Sequence, residues 1–197
     1  MKKIFFTALS LLIIATNIQI GHADEQTDSL KQALANYKQA VLENNVSTIL
    51  DYTYPAVFGL ASREDMQAGL EQMAASGQAP NVTKLDTSID SPIQVFSKGT
   101  FATVTADTAM TMPSPEPEND EMNELILSTL KTQMGADSEV SFNAEQGIFN
   151  ISKSGKLIAI SEEDSDWKFI DYDHAQASAA QGGAQLLPEE IAKALTE

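Results

Sequence analysis

No cysteine occurs among the 197 residues. That absence removes disulfide staples, thiolate metal sites, a cysteine nucleophile and a thiol for lipid attachment at the cleavage point of an export signal. The core alone must hold the fold. Basic residues are scarce too: 12 Lys and Arg stand against 28 Asp and Glu, a formal charge of −16. Nucleic acid and anionic lipid both call for a cationic footprint, so this chain would be repelled by either, while a basic partner would be drawn in. Only two histidines are present, and only His174 lies beyond the first 23 residues. One histidine without a thiolate serves zinc poorly. The acidic run "EEDSD" from Glu162 lacks the ligand ladder and glycine of a calcium loop, and reads as a solvated hairpin tip. A G-x-S-x-G elbow and a phosphate-cradling glycine loop are both missing. No metal and no cofactor is expected.

Long apolar runs are confined to the start. Met1-Lys2-Lys3 is positive, Ile4 to Ile14 is apolar apart from Thr7 and Ser10, and a short polar stretch ends in Gly21-His22-Ala23. This is the order of a cleaved secretory signal, and its apolar run is too short to span a bilayer well. Residues 1–23 are therefore expected to be removed. What remains, 24–197, is read as one exported domain, not membrane-anchored, in the periplasm or outside the cell. Losing two lysines and no acid leaves ten basic against 28 acidic residues, ten minus 28 or −18. Three N-x-S/T triplets, at Asn45, Asn81 and Asn150, would matter only in a eukaryotic secretory pathway and are read as coincidence.

What the chain does contain is periodic. Leu30, Ala33, Leu34, Tyr37 and Val41 recur at helical spacing between Ser29 and Asn44. Ser47 is expected to cap a short second helix carrying Ile49, Leu50 and Tyr52, which Pro55 ends. A third helix opens at Ser62, with Asp65 answering as in a capping box and Met66, Leu70 and Met73 as its buried stripe. Strands are expected at Val82–Ile89 and Ile93–Ser97, then after a Lys98-Gly99 turn at Phe101–Met112. Thr83, Leu85, Thr87 and Ile89 share one side of the first. In the third, Ala102, Val104, Ala106, Met110 and Met112 face one way, and Thr103, Thr105, Asp107 and Thr111 the other, which indicates one buried face. The proline-rich acidic loop Pro113–Glu121 leads into a helix over Met122–Met134. Three further strands are read at Glu139–Asn143, Gly147–Ser152 and Lys156–Ser161, with Ser154-Gly155 turning the second into the third. Asp164-Ser165-Asp166 turns into "WKFIDY". Residues 175–186 read as a linker to a final helix that Pro188 starts. Helices first and antiparallel strands after make an α+β order.

The stretch "YKQAVLENNVSTILDYTYPAVF" resembles the opening of the nuclear transport factor 2-like, or cone-fold, superfamily. "YTYPAVF", "WKFID" and "LLPEEI" resemble a group of uncharacterised exported bacterial proteins within it. The resemblance implies amino-terminal helices packed on the concave face of a curved antiparallel sheet, here with an extra helix inserted between strands. It implies that Tyr52, Tyr54 and Phe58 bury their rings against that face, while Pro55 fixes the angle between helices. It also implies a cone-shaped pocket, for which Tyr54, Phe58, Phe101 and Trp167 are the expected ligand-binding residues.

The superfamily includes isomerases and dehydratases with an acid or base inside the cone. Asp51 and Asp107 would be the carboxylate candidates here, with Tyr37 and Tyr54 as hydrogen-bond donors, but none sits in a spacing that specifies a role. The reading adopted is a non-catalytic exported domain that holds a small molecule or protein partner in or near the pocket. An acidic inhibitor or capture protein for a basic partner is the alternative, and an enzyme the third reading. A homodimer is compatible with all three.

Overall fold

A computed structural model describes residues 19–135, 138–163, 165–180 and 185–196, with side chains from Asp24 onward. Of the expected signal segment, residues 1–18 lie outside that part. The elements run α1 (Gln19–Leu42), α2 (Val46–Tyr52), a 3-10 turn (Pro55–Gly59), α3 (Arg63–Ala75), β1 (Asn81–Ile89), β2 (Gln94–Phe96), β3 (Gly99–Pro113), α4 (Asp120–Met134), β4 (Ser138–Asn143), β5 (Ile148–Glu162), β6 (Lys168–Asp171), α5 (Tyr172–Ala180) and α6 (Glu189–Ala194). The strands form one curved antiparallel sheet in the order β1-β3-β5-β4, with β2 on β3 and β6 on β5. The molecule is α+β, and α4 is inserted between strands as expected.

The spine of the sheet is the pairing of β3 with β5, which runs unbroken from Gly99 opposite Glu162 to Pro113 opposite Ile148. This corrects the expected hairpin at Ser154-Gly155. Those two residues sit mid-strand, opposite Asp107 and Ala106, and Gly155 takes no left-handed conformation. The tight hairpin turns rely on left-handed residues, so Ser-Gly here simply continues the ladder. Gly99 is required where it stands, because a Cβ there would lie 2.0 Å from the Ser161 carbonyl oxygen.

Strict alternation along this pair assigns side chains to two faces. On the first face α1 covers one end: Leu30, Ala33 and Leu34 pack with Leu85, Val104, Leu157, Trp167 and Phe169. At the other end α4 brings Leu130 onto Val140, Phe149 and Ile151, with Met110 and Met112 beside them. The second face is not bare, contrary to the expected single buried face. Phe101, Ile158, Ile160 and Ile170 are buried there beneath Ala175, Leu186, Leu187 and Ile191 of the carboxy-terminal segment. The expected linker 175–186 is accordingly helical through Ala180, its small residues allowing α5 to lie close to the sheet. Residues 181–184 lie outside the described part.

The amino-terminal helices are punctuated by asparagines. Asn44 adopts φ 54° to end α1, and Asn45, rather than Ser47, caps α2 by accepting the Thr48 amide. Ser62 caps α3 as expected, accepting the Asp65 amide at 3.1 Å. The Asp65 carboxylate takes the Ser62 hydroxyl at 2.7 Å instead of its backbone N–H, because aspartate is one carbon too short for the full box. The expected buried stripe of α3 is not buried: Leu70 and Met73 are 39% and 43% exposed, no residue of the helix is buried, and its main packing partner is α2. On β1 an irregularity at Thr83 shifts the phase, so that Val82 and Leu85 both point inward while Thr83 is exposed.

Trp167 is 4% exposed and packed within the α1 cluster. Trp167→Ala should therefore cost about 3–5 kcal/mol of stability, read as a lowered denaturant midpoint. A variant as stable as the parent would contradict its placement in the core.

Candidate functional site

The joint "DYTYPAVF" positions the site. Thr53 forms a parallel bridge with Phe169, and the Tyr54 amide donates to the Phe169 carbonyl at 2.9 Å. The joint thus adds itself to the free edge of β6. Extended backbone sends alternate side chains to opposite faces, and the two tyrosines divide accordingly. Tyr52 goes to the first face and stacks on Phe169, ring centres 5.8 Å apart, while Tyr37 of α1 closes on the same ring at 5.1 Å. Tyr54 goes to the second face, joins Phe96 and Phe101, and donates its hydroxyl to Glu162 Oε1 at 2.9 Å. Each ring pair is worth about 0.5–1.5 kcal/mol beyond its buried area. Tyr52 is half-buried on the first face, Tyr54 lies on the other face, and half-buried Phe58 joins none of the buried clusters.

Between the α1 and α4 clusters the first face is uncovered, and there a cavity of about 370 Å³ opens. Its floor is made by Ala106 opposite Gly155 and Thr108 opposite Lys153. The space exists because two of those four floor residues are too small to fill it. Tyr37 and Val41 of α1 form one wall, with Val57 from the joint; Phe169 and Asp171 of β6 form another, and His174 stands at the exposed rim. A mainly apolar concavity of this size with a few converging polar groups has the character of a small-molecule site.

Its polar groups are held from outside. Asp171 caps α5 by accepting the His174 amide at 2.8 Å through Oδ1. Lys153 Nζ meets Asp173 at 2.9 Å. Burial, and secondarily the negative charge of Asp171, push the Tyr37 phenol above its ordinary value. At neutral pH Tyr37 is therefore a hydrogen-bond donor and never a phenolate.

None of the four expected ligand-binding residues lines this cavity. Trp167 is core on the α1 side, Phe101 and Tyr54 are core on the second face, and Phe58 lies outside. The carboxylate candidates are also elsewhere: Asp51 is exposed and paired with Arg63 at 2.7 Å, and Asp107 is exposed in mid-strand facing away. Tyr37 and His174 do reach the cavity. Thr108, Lys153 and Asp171 were missed, although the sequence marks them: Thr108 falls in phase with Ala102, Val104, Ala106, Met110 and Met112, a polar interruption of an apolar face. Lys153 interrupts the matching face of β5 once that strand is read as continuous.

Among the described residues no group of His, Asp and Glu could hold a metal ion, and no helix is long and apolar enough to cross a membrane. The chain matches no protein-family model and no curated protein.

Burial, the Glu162 hydrogen bond and the Glu162 charge also raise the Tyr54 pKa. Both tyrosines are thus more acidic in the unfolded chain, at roughly pH 10, than in the folded one. Their contribution to stability is complete below that pH and is lost as pH rises toward the folded values. Unfolding free energy should fall above about pH 10, and less steeply in Tyr54→Phe. Equal alkaline slopes for the two proteins would contradict this assignment.

Proposed function

We propose that the chain is a non-catalytic binding domain that holds a small, mainly apolar molecule in the cavity between α1, the aromatic joint and the sheet. The observation that carries this reading is the gap itself. Between two apolar clusters on one sheet face, beyond the small Ala106 at the border of the first, lies a gap over Gly155, on which Tyr37, Thr108 and Asp171 converge. Such a gap costs the fold packing contacts that larger residues would supply.

We further propose that the protein acts after export, following loss of residues 1–23, and that its sheet belongs to the nuclear transport factor 2-like superfamily. Support for the latter is the order of helices before a curved antiparallel sheet, together with the tyrosine joint that ties them. In this reading Tyr37 orients a ligand by donating a hydrogen bond; its raised pKa suits a donor and not a base. Capture of a basic protein by exposed acids is the competing reading. Binding of that kind weakens steeply with added salt, whereas groups inside a cavity are screened less.

Gly155→Leu tests the reading. A Cβ at that position meets only Lys153 Cε, at 3.6 Å, so the leucine can enter the cavity without striking backbone. Saturation-transfer NMR with a panel of uncharged single-ring aromatics should show binders to the parent protein. Their affinity should drop at least about tenfold in Gly155→Leu, the effect of filling the space an apolar ligand would occupy, while the melting temperature stays close to the parent's. Unchanged binding in the filled variant would refute the cavity as the site.

A further inference from the structure

The two charged residues that line the cavity, Lys153 and Asp171, are held differently. Lys153 is met by Asp173 at 2.9 Å. Asp171, on the β6 wall, accepts the His174 backbone N–H, and among the described residues no lysine or arginine lies within ion-pair distance of it. Asp171 is left as a carboxylate without a basic partner, facing mainly apolar walls. Beside it stand the rings of Phe169 and Tyr37, 5.1 Å apart and tilted at 48°. Aromatic faces attract cations, and the more so where water is excluded. The field of the whole chain has the same sign, with a formal charge of −16, and would raise the local concentration of cations at the mouth.

From this arrangement we infer that the cavity selects organic cations, an ammonium carried on a small apolar or aromatic frame, with Asp171 as the counter-charge. The inference rests on the cavity being the binding site. The apolar frame lies over Ala106 and Gly155, where no side chain competes for the space. The ammonium faces the Asp171 carboxylate beside the ring of Tyr37. An anionic ligand of the same shape would meet Asp171 with like charge, and Lys153 is already engaged by Asp173. A neutral ligand of the same shape would gain the apolar contact but leave the carboxylate without a partner.

Three shape-matched probes separate these cases: 2-phenylethylamine, 2-phenylethanol and 3-phenylpropionate, titrated calorimetrically into the whole protein and into Asp171→Asn. The asparagine keeps an oxygen to accept the His174 amide, so the start of α5 is preserved. In the parent protein the amine should bind at least about tenfold tighter than the alcohol, the scale of one ion pair in a partly buried site, and the carboxylate should bind weakest. In Asp171→Asn the amine should fall to the level of the alcohol. If the alcohol or the carboxylate equals the amine in the parent, and Gly155→Leu abolishes that binding, the cation preference is wrong and the cavity reading stands. An amine preference that survives in Asp171→Asn assigns the selectivity to other acids and overturns the inference. Should none of the probes bind the parent protein, the inference is overturned, while the cavity reading is left to the uncharged panel and Gly155→Leu. The parent ranking of the three probes requires no variant, so it decides the charge preference even if Asp171→Asn is unstable.

Discussion

Everything in this fold is referred to one long antiparallel pairing, β3 on β5. Its register fixes which residues share a face, and the side-chain period of two then leaves no freedom. Ala102 with Ala159, and Val104 with Leu157, receive α1; Met110 with Ile151, and Met112 with Phe149, receive α4. Of the pairs between them, Ala106 with Gly155 is the smallest of the series, and Thr108 with Lys153 puts polar ends into the apolar face. A cavity flanked by two cores is the direct consequence. The helix inserted between β3 and β4 is not an ornament on the sheet, since it supplies the second core and so defines where the gap ends.

The second constraint is the edge of β6. A short strand with one free edge needs a partner for its backbone, and the joint after α2 provides it through Thr53 and Tyr54. Because the joint is extended where it crosses that edge, Tyr52 and Tyr54 fasten it on opposite faces, one by stacking on Phe169 and one by a hydrogen bond to Glu162. Two tyrosines separated by a single residue suit this position for that reason. Pro55 then sets the following turn, and Val57 comes round to the cavity wall. The joint thereby links the α1 side of the molecule to the carboxy-terminal core on the second face.

The sequence carries much of the architecture in its periodicities. The α1 stripe, the alternation of β3 and the insertion of α4 are legible because a helix or strand with one buried face leaves a regular pattern. Three features are not. The stripe of α3 is as regular as that of α1, yet Leu70 and Met73 are exposed; amphipathicity shows which face could be buried, not whether anything covers it. Ser154-Gly155 has the composition of a turn and the conformation of a strand, because long-range pairing with β3 outweighs local preference. Residues 175–180 have the composition of a linker and form a helix, because Ala175 packs under Leu186, Leu187 and Ile191, contacts that no local pattern encodes. The site was obscured by the second of these. While β5 is divided at Gly155, Lys153 belongs to a turn; once it is continuous, Lys153 faces Thr108 across the floor of the cavity. Tyr54, Phe101 and Trp167 are core, whereas Thr108, a polar residue standing in an apolar phase, lines the cavity.

Function in this account follows from a packing gap and the charge beside it, and both depend on the continuity of β5. Cross-strand nuclear Overhauser effects in the isotope-labelled protein test that continuity most directly. Backbone contacts are expected between Ala106 and Gly155 and between Thr108 and Lys153, in one uninterrupted series with those linking Val104 to Leu157 and Met110 to Ile151. Contacts between Lys153 and Lys156 across a tight turn at Ser154-Gly155, with none from either strand half to Ala106 or Thr108, would contradict it.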